Sequence, residues 1–197
     1  MPGDTRERIV AVARDLVHGA SLSAVSIDDV CRAAGVHKGS LYHFFPSKDA
    51  LGAAVLELNW AMMSTVLDEA FADDVAPLTR IDRFVDGFVR MLTLTRRQMD
   101  ITPGCPLGNL TAELAARQGD IRARLVRILQ AWTRYFADAI SEARGRGEIE
   151  PTVDPNAAAT RVLAHLQGLA LLAKAHDDPD LVLSLKDDLP VLLSPAR

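Results

Sequence analysis

The feature that most constrains this chain is the spacing of its apolar residues. From end to end they recur every three or four positions, and almost nowhere do they alternate with polar residues at every second position. A 3.6-residue period buries one side of a helix, whereas a strand facing a core needs a period of two, so the chain is predicted to be all-α. Gly19, Gly35, Pro46, Pro77, Pro106, Gly119, Gly145, Gly147, Pro155 and Pro179 punctuate the pattern into about nine helices.

The first third divides finely. A helix over about residues 5–17 places Ile9, Ala13, Leu16 and Val17 on one face. Ser26 precedes a short periodic run over residues 27–34, and Asp29 stands three places later, as in a weaker relative of the capping box. Gly35 ends that run where a left-handed residue is needed. A second short helix, about residues 37–45, completes a helix-turn-helix unit over about 26–45. Pro46 stops it, and Ser47 can cap the next helix, whose first turn carries Lys48 and Asp49.

The remaining residues form longer segments. Helices are expected over about 48–71, 78–98, 107–116, 120–144 and 156–176, with a break at 102–106, a reset at Gly119 and a last amphipathic helix through Leu181, Leu183, Leu185 and Leu189. The segment 156–176 is apolar over too wide a face for one neighbour in the same chain. Val162, Leu166 and Leu169, with Leu185 and Leu189 of the last helix, are therefore expected to pack against a second copy across a two-fold axis. The alternative is a core helix of a monomer.

Composition narrows the function. At 197 residues and 49% hydrophobic content the chain can bury a substantial core. No continuous apolar run reaches the ~18 residues of a membrane span, and the start of the chain lacks a basic flank followed by an apolar stretch, so a cytoplasmic location without membrane contact is expected. Cys31 and Cys105 lie far apart with no metal-ligand spacing, so neither a disulfide scaffold nor a metal site is indicated, and no cofactor is implied. The first 50 residues carry six basic and six acidic side chains, leaving the whole net charge of −4 on the remainder. A neutral module bearing local cations on an acidic body fits salt-sensitive contact with DNA through a small surface.

The elements Gly35-Val36, His37-Lys38, Gly39-Ser40-Leu41-Tyr42-His43-Phe44-Phe45-Pro46 and Ser47-Lys48-Asp49-Ala50-Leu51 give residues from Thr5 to about Trp60 a specific resemblance to the DNA-binding domain of the TetR/AcrR family of transcriptional regulators. The resemblance implies an all-α homodimer in which a three-helix module, residues 1–47, reads a palindromic operator in double-stranded DNA. A larger helical domain, 48–197, would bind a small-molecule effector and dimerise. Lys38, Ser40, Tyr42 and His43 face outward if Leu41, Phe44 and Phe45 pack inward, and suit phosphate and base-edge contact. His37 joins them at the start of that helix. Gly39 would let the helix backbone approach DNA closely, and Lys48 with the amides at the next helix start would clamp a phosphate. Ser26 could contact phosphate or serve only as a cap.

A second element, Gly104-Cys105-Pro106-Leu107-Gly108-Asn109-Leu110-Thr111-Ala112-Glu113-Leu114, resembles a Gly-Cys-x-x-x-Asn-Leu motif in a branch of the family with members that sense electrophiles or oxidants. Cys105 stands before Pro106, a favoured first helical residue, so a helix N-terminus could stabilise its thiolate. The alternative is a buried, inert thiol. Lys174 is its candidate neighbour through the same resemblance. Trp60, Met63, Phe84, Phe88, Met91, Trp132, Phe136 and His165 are candidate lining of an effector pocket, against the simpler reading that each is core. The effector would be apolar or electrophilic. The expected function is a ligand-responsive repressor without enzymatic activity. Alternatives are a regulator needing no effector and a helical enzyme with an accessory DNA module; for the enzyme, no Glu-x-x-His pair, phosphate loop or hydrolase signature is present.

Overall fold

The computed structural model describes residues 2–116 and 120–195; the expected reset at Gly119 lies outside them. Among the described residues there are nine α-helices, one 3-10 helix and no strand. The helices are α1 (Pro2–Gly19), α2 (Ile27–Ala34), α3 (Lys38–Phe44), α4 (Lys48–Ala70), α5 (Pro77–Met99), α6 (Pro106–Leu114), α7 (Asp120–Gly145), α8 (Pro155–His176) and α9 (Ser184–Leu192). The last expected helix is divided. Asp178 caps a 3-10 turn, Pro179–Leu183, by accepting from the Asp180 amide at 3.0 Å, and α9 starts only after it.

The chain clusters into two compact units, 1–62 with 106–123 and 63–105 with 124–197. These compact units do not divide at residue 47/48, the expected functional boundary: the first takes in the first part of α4 and all of α6. Leu51, Val55 and Leu56 of α4 are buried with Ile9, Ala13, Leu22, Val30, Leu41 and Phe45. Each fully buried side chain of this size contributes roughly 1.5–3 kcal/mol of transfer free energy, so α4 supplies a substantial part of this unit's core.

Local chemistry sets the α2 and α3 boundaries. Ser26 Oγ accepts from the Asp29 amide at 3.1 Å, while the Asp29 carboxylate accepts from the Ser26 amide at 3.1 Å, so the shorter acid closes the full reciprocal box. Gly35 ends α2 in the left-handed region, φ +65°, and the Val36 amide donates back to the Cys31 carbonyl at 3.0 Å. The α3 helix stops at Phe44, ahead of Pro46.

The second unit has a core of clustered aromatics and buried aliphatics from α5, α7 and α8. Arg80 is enclosed in it, donating to Glu142 at 2.8 Å and to the Val75 carbonyl at 3.0 Å and pairing with Asp73. Such a charge is tolerated inside only because its donors are matched by carboxylates and a carbonyl. Among the described helices α4 alone is long and apolar enough to cross a membrane. Its composition has another account, since Leu51, Val55 and Leu56 are buried in the first unit and Met63 and Leu67 in the second.

Candidate nucleic-acid interface and effector region

On α3 the core takes Leu41, with Phe45 just beyond the helix end, and leaves Phe44 half-buried. His37, Lys38, Gly39, Ser40, Tyr42 and His43 are all exposed, so the short helix offers a nearly continuous polar surface. His37 is the N-cap residue but makes no side-chain cap hydrogen bond. A Cβ at Gly39 would meet nothing within 4 Å, so no neighbour within the protein requires glycine there.

Several expected contact residues already have partners. Lys38 Nζ lies 2.9 Å from Asp28, whose hydrogen bond and charge raise the lysine pKa. Lys48 donates to the Ser23 carbonyl at 3.0 Å, and the Ser47 hydroxyl accepts from the Ala50 amide at the α4 start. Ser26 is committed to its capping box, which its hydroxyl extends by donating to Asp29 at 2.6 Å. The Asp29 carboxyl is held below the usual range by these Ser26 bonds. Sequence reasoning missed Arg6, whose guanidinium lies 5.3 Å above the Phe45 ring centroid. The lone signal was an exposed cation on α1, too common to single out.

In the second unit Phe84, Phe88, Trp132 and Phe136 are fully buried; Phe84 meets the other three rings and Phe88 meets Trp132 in edge-to-face or tilted contacts with centroids 5.4–6.5 Å apart, and Phe71 and Tyr135 extend the cluster. Trp132 Nε1 has no hydrogen-bond partner there. Met63 is buried, whereas Met91 and, in the first unit, Trp60 are half-buried. His165 does not join the aromatics as expected. Its Nε2 lies 2.7 Å from Asp188, pairing α8 with α9. A polar hollow of about 250 Å³ beside the cluster is lined by Asp68, Phe71, Arg80, Tyr135, Asp138 and Glu142. The Tyr135 hydroxyl donates to Asp68, which pushes its pKa up to about 12.

Cys105 is 3% exposed in the break before α6. Gly104 has φ +76°, and a Cβ there would come within 3.3 Å of both the Ala170 carbonyl and Lys174 Cβ. Glycine thus lets the break lie directly on α8 beside Lys174. Asp177, the left-handed residue ending α8, holds the break's other end: it accepts from the Thr102 amide at 2.7 Å and from Arg96 at 2.9 and 3.1 Å. Cys31, the other thiol, is buried in the first unit, and burial raises its pKa.

The expected dimer contacts need correction. Val162, Leu166, Leu185 and Leu189 are buried within the chain by the packing of α8 on the 3-10 helix and α9, and Leu169 is half-buried. On α8 and the segment after it, the large apolar residues left outside are Leu171 (66% exposed), Leu172 (49%), Leu183 and Val191 (73%); Met62, Leu94, Ile101 and Val126 are exposed elsewhere.

A buried-core, three-helix unit that presents the polar surface of its third helix, continued into a helical body, defines a helix-turn-helix DNA-binding protein. Residues 9–55 match the model for bacterial regulatory proteins of the tetR family, and residues 77–186 match that for the tetracyclin repressor-like C-terminal domain. The transcriptional regulator AcuR of Cereibacter sphaeroides is 36% identical over 159 residues, covering 80% of this chain and 71% of that one. The transcriptional repressor DhaR of Mycobacterium sp. is 27% identical over 170 residues, 86% of this chain and 82% of that one. Among solved structures, a regulatory protein TetR from Rhodobacter sphaeroides superposes with a TM-score of 0.82 at 31% identity, covering 94% and 97% of the two chains. The reduced form of NemR from E. coli shares the fold, with a TM-score of 0.82 at 22% identity and 98% coverage of each chain. The chain belongs to the TetR family of transcriptional regulators, with a DNA-binding N-terminal domain and the family's C-terminal domain.

Proposed function

We propose that this regulator is a homodimeric repressor that holds a palindromic operator and leaves it when an effector binds or Cys105 is modified. The reading rests on the exposed set Lys38, Ser40, Tyr42 and His43, carried on a helix fixed from behind by Leu41 and Phe45. Residues 1–47 carry the contacts, and 48–197 sense and dimerise. Two copies of α3 about one helical turn apart, ~34 Å, would enter successive major grooves, and a modest change of spacing would disengage one. Footprinting on the DNA upstream of its own gene should reveal a protected palindrome. Absence of protection at every effector concentration would sink the proposal.

The exposed Leu171, Leu172, Leu183 and Val191, beside the small residues Ala164 and Gly168, support a dimer face on α8 and the segment after it. Leu171→Arg should convert the dimer to monomer in sedimentation and abolish operator protection. An unchanged dimer would move the interface elsewhere.

The effector is a small apolar or electrophilic molecule received by the aromatic region of the body. Cys105 is its covalent alternative. The thiolate adds to the β-carbon of an activated alkene; the carbon–carbon π bond breaks as the carbon–sulfur bond forms, and the resulting enolate takes a proton from water. Because the sulfur is buried, addition requires the break between Asp177 and α6 to open. The Lys174 stem packed against Gly104, next to Cys105, supports this route, and the similar NemR fold was solved as a reduced form. N-ethylmaleimide should lower operator affinity for the parent protein and leave Cys105→Ser unaffected. Equal sensitivity of the two would reject the cysteine route. Acting on chromosomal operators, the protein would work in the cytoplasm.

A further inference from the structure

Glu113 stands next to last in the motif that begins at Gly104, yet neither the proposed DNA contact nor the proposed effector binding uses it. Its carboxylate spans the turn between α1 and α2. Oε1 accepts from the Leu22 amide at 3.0 Å, and Oε2 accepts from the Ser23 amide at 3.0 Å and from the Ser23 hydroxyl at 3.1 Å. Residues in this turn lie outside the helical ladders, so the carboxylate supplies acceptors that the backbone there does not. Bonds to an ionised acceptor are about twice as strong as neutral ones, and the two oxygens fix direction as well as distance.

The same two residues are fastened to α4. Leu22 fills a notch at Gly52, where a Cβ would fall 2.6 Å from its Cδ2, and Lys48 Nζ donates to the Ser23 carbonyl at 3.0 Å. Ser23 is thus a junction gripped through its amide and hydroxyl by α6 and through its carbonyl by the start of α4. These residues all belong to the unit that contains α3. Four residues beyond the junction α2 begins, so the placement of the turn sets the placement of the reading helices.

We infer that Glu113 is a positioning residue for operator binding: it clasps the α1–α2 turn to α6, so that any displacement of α6 is delivered to the helix-turn-helix. The inference rests on the operator-binding reading, and its test begins by establishing that the parent protein binds a fluorescent duplex bearing the footprinted site. With that binding in hand, Glu113→Ala and Glu113→Gln should each weaken operator affinity about tenfold. Glutamine keeps the volume and one oxygen but turns an NH2 group toward a backbone amide, so a residue needed only for packing would tolerate it. Parent-like affinity for Glu113→Gln would overturn the proposal. Hydrogen exchange on the unmutated full-length protein gives a second test that no folding failure can obscure. The Leu22 and Ser23 amides should exchange slowly despite lying in a surface turn, and exchange at the rate of an unstructured peptide would equally overturn it.

Discussion

Tyr42 and Trp132 show how differently the two units of this regulator hold the side chains proposed to contact DNA and to receive an effector. Tyr42 is 47% exposed on a seven-residue helix, anchored only by the buried Leu41 before it and Phe45 after it. Trp132 is wholly enclosed among Phe84, Phe88 and other buried residues, with even its indole N–H unpartnered. In the first unit, the side chains proposed to bind DNA are not those that fill the core. In the second, the aromatic residues proposed to receive an effector are also buried core. Substitutions can therefore separate affinity from stability in the reader and cannot in the body.

The largest effect should come from breaking the body's side of that comparison. Trp132→Ala removes a fully buried indole from the aromatic cluster, and a loss of about 3–5 kcal/mol in urea unfolding is expected. A loss below about 1 kcal/mol would mean that the cluster is looser than its stacking implies. Tyr42→Ala tests the other side. Operator affinity should fall by about 1–3 kcal/mol while unfolding stability stays within about 0.5 kcal/mol. If both fell together, Tyr42 would be part of the reader's core and the comparison would lose its first term.

This separation also explains what the sequence could disclose. Reader function depends on local chemistry: a cap at Ser26, a left-handed stop at Gly35, Pro46 after α3, and exposed residues between two apolar anchors. Each leaves a mark within a few positions, so α2 was legible to the residue. The junction at Ser23 was not, because the acid that grips it lies 90 residues away. In the body, apolar periodicity identified buried faces but not the element that covers each one. Val162 and Leu185 were read as surplus to one chain although their own chain buries both. His165 was assigned to a pocket because nothing in its helix announces Asp188. The distinction between core and interface is non-local, and one sequence does not carry it.

A smaller prediction sharpens the reader itself. Because Ser26 Oγ is engaged both as acceptor and donor with Asp29, Ser26→Ala should cost about 1 kcal/mol of stability. Operator affinity should change little once the fraction folded is accounted for. An affinity loss as large as that of Tyr42→Ala, with stability intact, would instead make the hydroxyl a phosphate contact.

The smallest effect concerns acid and the strap across the break. Hydrogen bonds from Arg96, then from Thr102, hold the Asp177 carboxyl far below the usual carboxylate range. At neutral pH the group is ionised in the folded and unfolded states alike, and its bonds contribute fully. As pH falls through the ordinary carboxylate range near 4, the unfolded chain takes up a proton that the folded chain refuses. That uptake favours unfolding, so the contribution is present above this range and is lost as pH drops toward the folded-state value. Asp177→Asn should therefore differ most in stability from the parent at neutral pH, with the gap unchanged down to about pH 5 and narrowing below it. A pH-independent gap would mean that the strap acts through shape alone. A narrowing gap accompanied by faster labelling of Cys105 in Asp177→Asn would tie the same carboxylate to the opening of the break.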